Sequence, residues 1–334
     1  MMSKLKFIFE KLFSFSFLNA VSPIVFVGMF FVVFGTIVSI FSSSWLGVWL
    51  GMEINLLNFM VLMNPEGAFV VEPAVKYFVV QCLGSNFILM GFLLSELYVN
   101  SFFNMLVLFG LVLKSGVSPF HSWLPSVVSS SSWFVGMWVL TWQKLAPFVF
   151  MGWFMSNFLV VLSVTLLSLV GGVGGLNQHG VRNLLAYSSF VHSAWMILAL
   201  TSSFWIFIMY WVVYCFSVGL VFWSCGSSGK HYLKSKGRFM WASFGVLMLM
   251  GLPPFLGFTC KILVFLSVNS YAIFVCVIGS LISMKYYLTF SYSLILGSQM
   301  FTYWSKTIEN AWSVFLVVML NFFGFFVMGI FLFM

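Results

Sequence analysis

Glu53 lies near the middle of an otherwise uncharged run, Trp45 to Met63, while Lys114, Lys144 and Lys261 are isolated charges deep in other apolar segments. His192 stands among serines in Ser188-Ser189-Phe190-Val191-His192-Ser193. These residue types bind and release protons. Lysine has an ordinary pKa near 10.4, which burial lowers by up to about 3–5, and histidine titrates near 6.5, which suits a shuttle. A carboxylate about 4 Å from an ammonium contributes roughly 4 kcal/mol at an effective dielectric of 20, or about three powers of ten in proton affinity. A glutamate that moves toward or away from a lysine therefore makes that lysine bind or release a proton. The alternative is a permanent ion pair that only holds two helices together.

Position makes these charges costly. A bare ion at mid-bilayer costs about 2.5–3.5 kcal/mol on the mild insertion scale, so four cost on the order of 10 kcal/mol before pairing. The chain has 14 Lys plus Arg and six acidic residues in 334, with 62% hydrophobic residues and a mean hydropathy of +1.12. A soluble domain carries about a quarter charged residues. Continuous apolar runs of about 20 residues fit a hydrocarbon core of about 30 Å, whereas a β-barrel would alternate over segments of about 10. The fold class is therefore an all-α polytopic membrane protein, whose spans satisfy their own backbone hydrogen bonds. All six acidic residues are Glu, and Phe (44) and Met (21) are abundant, a bias typical of a small, skewed genome such as a mitochondrial one. Cys82, Cys215, Cys225, Cys260 and Cys276 are scattered without a CxxC, which gives no metal or Fe–S site and no disulfide framework.

Turn signals and residual charges divide the chain into about eleven spans, near 22–42, 45–63, 74–96, 101–128, 132–154, 157–177, 183–202, 204–225, 239–268, 270–297 and 312–333. Loops on the side of the N-terminus then hold Lys4, Lys6, Lys11, Arg182, Lys230, Lys234, Lys236, Arg238 and Lys306, and the opposite loops hold no Lys or Arg. The positive-inside rule puts the N-terminus in the cytoplasm or matrix and, after an odd number of spans, the C-terminus outside. The net charge of +8 serves orientation and anionic headgroups and requires no nucleic acid. Residues 1–20 read as a basic, surface-lying segment rather than a cleaved signal.

Two spans are interrupted. The fourth reads Lys114-Ser-Gly-Val-Ser-Pro119-Phe-His121 and the ninth Gly251-Leu-Pro-Pro-Phe-Leu-Gly-Phe258. Proline removes an amide donor and clashes with the preceding turn, so breaks at Pro119 and Pro253-Pro254 are expected. Counted in fives, residues 21–155 and 156–298 each contain a broken fourth span. Five is odd, so the two sets are inverted repeats, and residues 299–334 add a final helix. Interrupted helices at matching places in inverted halves point to a transporter ion path. Gly171-Gly-Val-Gly-Gly175 has neither the preceding strand nor the Lys-Ser/Thr of a phosphate cradle, and reads as a close helix–helix approach. Glu66, Glu72 and Lys76 are placed at the interface, and Lys285 is either a path residue or a snorkelling lysine.

Trp45-Leu-Gly-Val-Trp-Leu-Gly-Met-Glu53-Ile-Asn55, Lys76-Tyr-Phe with Gln81, Lys114-Ser-Gly-Val-Ser-Pro-Phe-His-Ser-Trp123 and Thr141-Trp-Gln-Lys144-Leu-Ala-Pro147 resemble, in order, the subunit-2 family of antiporter-like membrane subunits of mitochondrial NADH:ubiquinone oxidoreductase, complex I. Gln178, Arg182, Leu185-Ala-Tyr-Ser-Ser189, His192, Trp195 and Gly251-Leu-Pro-Pro-Phe-Leu-Gly-Phe258 with Lys261 continue the likeness. Eleven spans resemble the animal mitochondrial form, which lacks the first three of the fourteen bacterial helices. Ser126 stands where the family often has an acidic residue, and Thr289 where it often has an arginine.

The resemblance implies proton translocation across the mitochondrial inner membrane, coupled to electron transfer from NADH to ubiquinone. In that membrane the loop charges put the N-terminus in the matrix and the C-terminus in the intermembrane space. The family's glutamate falls on Glu53, its broken-helix lysine on Lys114, the next helix's lysine on Lys144 and its distal lysine on Lys261. Glu53–Lys114 would be the switch, with Lys144, His192 and Lys261 relaying the proton. The implied partners are other complex I membrane subunits, supernumerary subunits and phospholipids such as cardiolipin. No cofactor is expected in this chain, since NADH, FMN, Fe–S clusters and ubiquinone would be bound by other subunits. The rival readings are a standalone cation/proton antiporter, a haem carrier, which needs paired axial histidines, and a passive channel, which is usually an oligomer around rings of charge.

Overall fold

The computed structural model describes residues 23–63, 71–97, 101–226, 236–253, 255–268 and 270–299. Helices dominate. In chain order they are α1 (Pro23–Phe41), α2 (Trp45–Met63), α3 (Val71–Leu97), α4 (Ser101–Ser115), α5 (Trp123–Ser130), α6 (Trp133–Leu140), α7 (Leu145–Phe154), α8 (Asn157–Gly174), α9 (Val181–Ser202), α10 (Phe204–Gly226), α11 (Lys236–Met250), α12 (Leu256–Ser267) and α13 (Ala272–Gln299). Seven helical stretches among the described residues are long and apolar enough to cross a membrane, and shorter apolar helices stand at 25–41, 103–115, 241–250 and 256–267. The first ten expected spans coincide with these elements. Residues 1–20, Glu66 and the span at 312–333 lie outside the described residues.

The helices associate in a recurring order. α1 packs on α2, α2 on α3, α3 on α4 and α5, and α4 on α7; α8 packs on α9, α9 on α10, α10 on α11 and α12, and α11 on α13. The hub is α9, which is buried continuously from Ser188 to Ala199 and touches α5, α6, α7, α8, α10, α12 and α13. An apolar helix buried on every side needs no amphipathic stripe. The glycine run at the end of α8 permits close packing: a side chain on Gly171 would strike Tyr187 and Val191 of α9, and one on Gly172 would meet Gly279 and Ile282 of α13.

Loop contacts agree with the expected alternation of faces. Trp45, Phe92, Trp153 and Phe154, all at span ends assigned to one side, form one aromatic cluster, with Trp45 stacked 4.5 Å from Phe92 and 5.4 Å from Phe154. Exposed Trp153, Trp205 and Tyr271 mark the same side, as interfacial aromatics do. On the other side the Arg182 guanidinium donates to the Ser131 carbonyl and lies 5.2 Å from the Trp133 ring.

Both expected breaks are present, but their cause differs from the expectation. α4 ends at Ser115, four residues before Pro119. Gly116 (φ +69°) donates its amide to Leu113 O at 3.3 Å, and Val117 donates to Val112 O at 3.1 Å, the paired bonds of a left-handed glycine C-cap. α11 ends in the same way, with Gly251 (φ +71°) donating to Met248 O at 3.1 Å. The left-handed turn stops each helix, and the prolines only prevent it from resuming. Gly116→Ala and Gly251→Ala should each destabilise the protein by about 1–2 kcal/mol through the left-handed penalty. A fall in the thermal midpoint of the purified assembly checks this, and an unchanged midpoint would refute it.

A third break was not expected. The fifth span, read as continuous over 132–154, is divided into α6, a single 3-10 turn Trp142–Lys144, and α7. Pro147 has no amide hydrogen to offer the Gln143 carbonyl one turn back, and Thr141 departs from helix geometry at φ −110°, ψ −75°.

Candidate functional site

Lys114 occupies the last turn of α4, immediately before its glycine cap. Its Nζ lies 3.7 Å from Glu53 Oε1 of α2, with the lysine side chain 3% exposed and the glutamate 21%. This is a charge contact beyond ordinary hydrogen-bond length, and Glu53 Oε1 has no hydrogen-bond partner. Gln81 of α3 donates to the Lys114 carbonyl at 3.0 Å, satisfying one of the acceptors that a helix end leaves open. At Gly84, α3 runs so close that a Cβ would come within 2.7 Å of Lys114 Cγ. A cavity of about 20 Å³, lined by Asn55, Tyr77, Gln81, Lys114 and Gln143 among others, has room and partners for one water.

Lys144 ends the 3-10 turn and is buried. Its Nζ donates to Ser189 Oγ at 3.0 Å and to Ser189 O at 3.3 Å on α9, and lies 5.8 Å from the Phe190 ring centroid, within cation–π range. That ring also lies nearly perpendicular to the His121 ring, with centroids 5.5 Å apart, and His121 Nδ1 is 3.1 Å from Pro119 O in the first break.

His192 projects from α9 one turn beyond Ser189. Its Nδ1 is 2.9 Å from the Tyr210 hydroxyl of α10, and its Nε2 is 3.4 Å from the Tyr287 hydroxyl of α13. A neutral imidazole donates at one nitrogen and accepts at the other, while imidazolium donates at both, so a tyrosine hydroxyl on each nitrogen serves either state by rotating. A smaller cavity of about 10 Å³ joins His192, Tyr210, Tyr214, Ser217 and Cys260, and the Tyr214 hydroxyl is buried there without a hydrogen-bond partner.

Lys261 of α12 reaches back across the ninth-span break and donates to Met250 O, the last carbonyl of α11, at 2.9 Å. A cation at a helix C-terminus meets the negative end of the helix dipole. A side chain on Gly251 would collide with the Lys261 amine at 2.9 Å, so the glycine both caps α11 and makes room for the lysine.

The order along the chain is thus an order in space: Glu53 with Lys114, the Asn55/Gln143 cavity, Lys144 with Ser189, His192 between two tyrosines, and Lys261 at the second break. Each expected charge points inward, and each has a polar partner. A protein-family model described as "NADH:quinone oxidoreductase/Mrp antiporter, TM" matches residues 94–285, which include all of these except Glu53, Asn55 and Tyr287. NADH-ubiquinone oxidoreductase chain 2 of Mytilus edulis is 48% identical over 265 residues, covering 79% of this chain and 84% of the relative. The chain of the same name from Anopheles gambiae is 37% identical over 289 residues, with the same coverage of 79% and 84%. The chain belongs to the NADH-ubiquinone oxidoreductase chain 2 family. Its fold is that of a chain of respiratory complex I from Thermus thermophilus (TM-score 0.75, 24% identity, 82% of this chain and 71% of that one). The fold is shared with a chain of the Mrp complex from a Dietzia species (TM-score 0.70, 19% identity, 77% and 58%).

Within this family member, Lys285 is exposed on the outer side of α13, away from the internal file. Glu72 and Lys76 pair with each other at 2.6 Å on the exposed start of α3, consistent with an interfacial place. Ser189 was visible in sequence only as part of a family motif, and Tyr210 and Tyr287 carried no sequence signal beyond their type. A buried tyrosine hydroxyl seeks a hydrogen-bond partner, and a mid-span histidine is one of few available in an apolar bundle.

Proposed function

We infer that this chain is the antiporter-like membrane subunit of respiratory complex I that carries protons through its interior while other subunits pass electrons from NADH to ubiquinone. The observation that carries the reading is the buried Lys114 amine facing the partly exposed Glu53 carboxylate and opening onto Lys144, His192 and Lys261 in a chain of this family. Ions of this kind inside a membrane face a bundle interior and mark an ion route. Glu53 modulates Lys114, the cavity lets a water pass the proton toward Lys144, and Ser189, His192 and its tyrosines carry it to Lys261. Moving one charge against 100 mV requires about 2.3 kcal/mol, so the step must be driven by the electron-transferring subunits.

The reading extends to organisation and place. Residues 21–155 and 156–298 form two inverted repeats, a division supported by the recurring order of helix neighbours and by a glycine cap in each broken span. Residues 1–20 and 299–334 flank them. The protein sits in the mitochondrial inner membrane with its N-terminus in the matrix and its C-terminus in the intermembrane space, as the loop charges favour. Neighbouring antiporter-like and small membrane subunits, supernumerary subunits and phospholipids such as cardiolipin surround it. NADH, FMN, Fe–S clusters and ubiquinone belong to other chains.

The competing reading is a standalone cation/proton antiporter, which would use similar helices and lysines. Purification in mild detergent separates the two. The chain should travel with many other polypeptides and with NADH:quinone activity; recovery alone or as a homodimer would overturn the assignment.

A further inference from the structure

Four consecutive residues at the third break each bond to a different helix. The Thr141 carbonyl accepts from Trp211 Nε1 of α10 at 3.2 Å, and Trp142 Nε1 donates to Thr36 Oγ1 of α1 at 3.2 Å. Gln143 Nε2 donates to Asn55 Oδ1 of α2 at 2.9 Å, and Lys144 donates to Ser189 of α9. Two of these helices belong to the first five spans and two to the second five. A 3-10 interruption inside a helix often marks a hinge, and here the hinge is held by bonds to four neighbouring helices.

One bond stands out by position. Asn55 is buried two residues after Glu53 on the same helix, and Gln143 immediately precedes Lys144. Both amides line the cavity that also holds Lys114. A displacement of α2 that changes the Glu53–Lys114 separation therefore pulls on the turn that carries Lys144. An amide pair suits this task because it neither carries charge nor titrates, so it transmits position without competing for the proton.

We propose that Asn55 and Gln143 are positioning residues that couple the Glu53–Lys114 pair to Lys144, with the Thr141–Lys144 turn as the hinge joining the two halves of the chain. The proposal rests on the proton-moving reading given above. It assigns the connection between the two ion sites to one hydrogen bond across the cavity, and it makes Gln143 the residue through which a change at Glu53 reaches the second half.

The test uses the intact complex in sealed vesicles, with NADH:quinone turnover and protons moved per electron measured together. Asn55→Leu and Gln143→Met each remove an amide at similar size. Each should lower the proton-to-electron ratio by the same factor as Glu53→Gln while turnover stays within about twofold of the unaltered complex. The double variant should be no worse than either single one, and the exchanged pair Asn55→Gln with Gln143→Asn should restore the ratio. Asn58→Leu, which removes a different α2 amide, one that donates within its own helix to Ile54 O, should leave the ratio unchanged. Losses that add in the double variant, an unchanged ratio in the single variants, or an equal loss in Asn58→Leu would each overturn the proposal. If Asn55→Leu blocks assembly, Gln143→Met and the exchanged pair carry the same decision. Normal ratios in the amide variants beside a lowered ratio in Glu53→Gln would sink only the coupling; a normal ratio in Glu53→Gln would sink the underlying reading.

Discussion

Glu53→Gln is expected to abolish proton pumping through this subunit while leaving its assembly mostly intact. The substitution keeps shape and removes charge. At 3.7 Å from Lys114 Nζ, the carboxylate attracts the ammonium by about 4 kcal/mol at an effective dielectric of 20. Loss of that attraction in every conformation leaves nothing for a movement of α2 to modulate. Assembly survives because Glu53 Oε1 makes no hydrogen bond that the amide must reproduce, and the side chain is partly exposed rather than sealed in a core. The measurement is the proton-to-electron ratio of reconstituted complex, with NADH:quinone turnover recorded beside it. Pumping at the unaltered ratio would show that the pair is a static brace between α2 and α4. Glu53→Asp adds a graded case: the charge remains with a shorter reach, so pumping should be reduced rather than lost.

Most of the scaffold was legible because lipid imposes simple arithmetic. Apolar runs of the right length locate the spans, and loop charges sort them into faces that the Arg182–Ser131 and Trp45–Phe154 contacts respect. Glu53 and Lys114 were legible as isolated charges because ions are costly in an apolar chain, while the choice of Lys114 over Lys144 or Lys261 as the partner of Glu53 came from the family resemblance. The breaks were read correctly in place but credited to proline, since a sequence displays Pro119 and Pro253 more loudly than the glycine whose backbone actually turns. The break at Thr141–Lys144 was invisible for a different reason. Its bonds come from Trp211, Thr36 and Asn55, residues far away in sequence, and no local window contains them. Tyr210 and Tyr287 were hidden because neither α10 nor α13 has a clear polar stripe, so no periodicity reveals which face meets His192.

The second large effect is expected at Lys261, where two roles can be separated by one change of cation. The amine donates to Met250 O at the end of α11, so the side chain could act only as a charged cap on that helix. Alternatively, it takes up and passes on the proton that leaves His192. Arginine distinguishes the two, because its guanidinium keeps the positive charge and the donors but does not deprotonate in proteins. If Lys261 is only a cap, Lys261→Arg should pump normally and Lys261→Met should assemble poorly. If Lys261 relays protons, Lys261→Arg should assemble with a near-normal thermal midpoint and yet lose pumping as completely as Glu53→Gln. The relay account predicts the second pattern. Comparing midpoint with proton-to-electron ratio in the same preparation decides it, since an arginine variant that pumps at the full ratio would remove Lys261 from the route. The cap and the relay are also compatible in one residue: an amine that leaves the Met250 carbonyl when it gives up its proton would tie the second break to the charge passing it, just as the Glu53–Lys114 pair would tie the first.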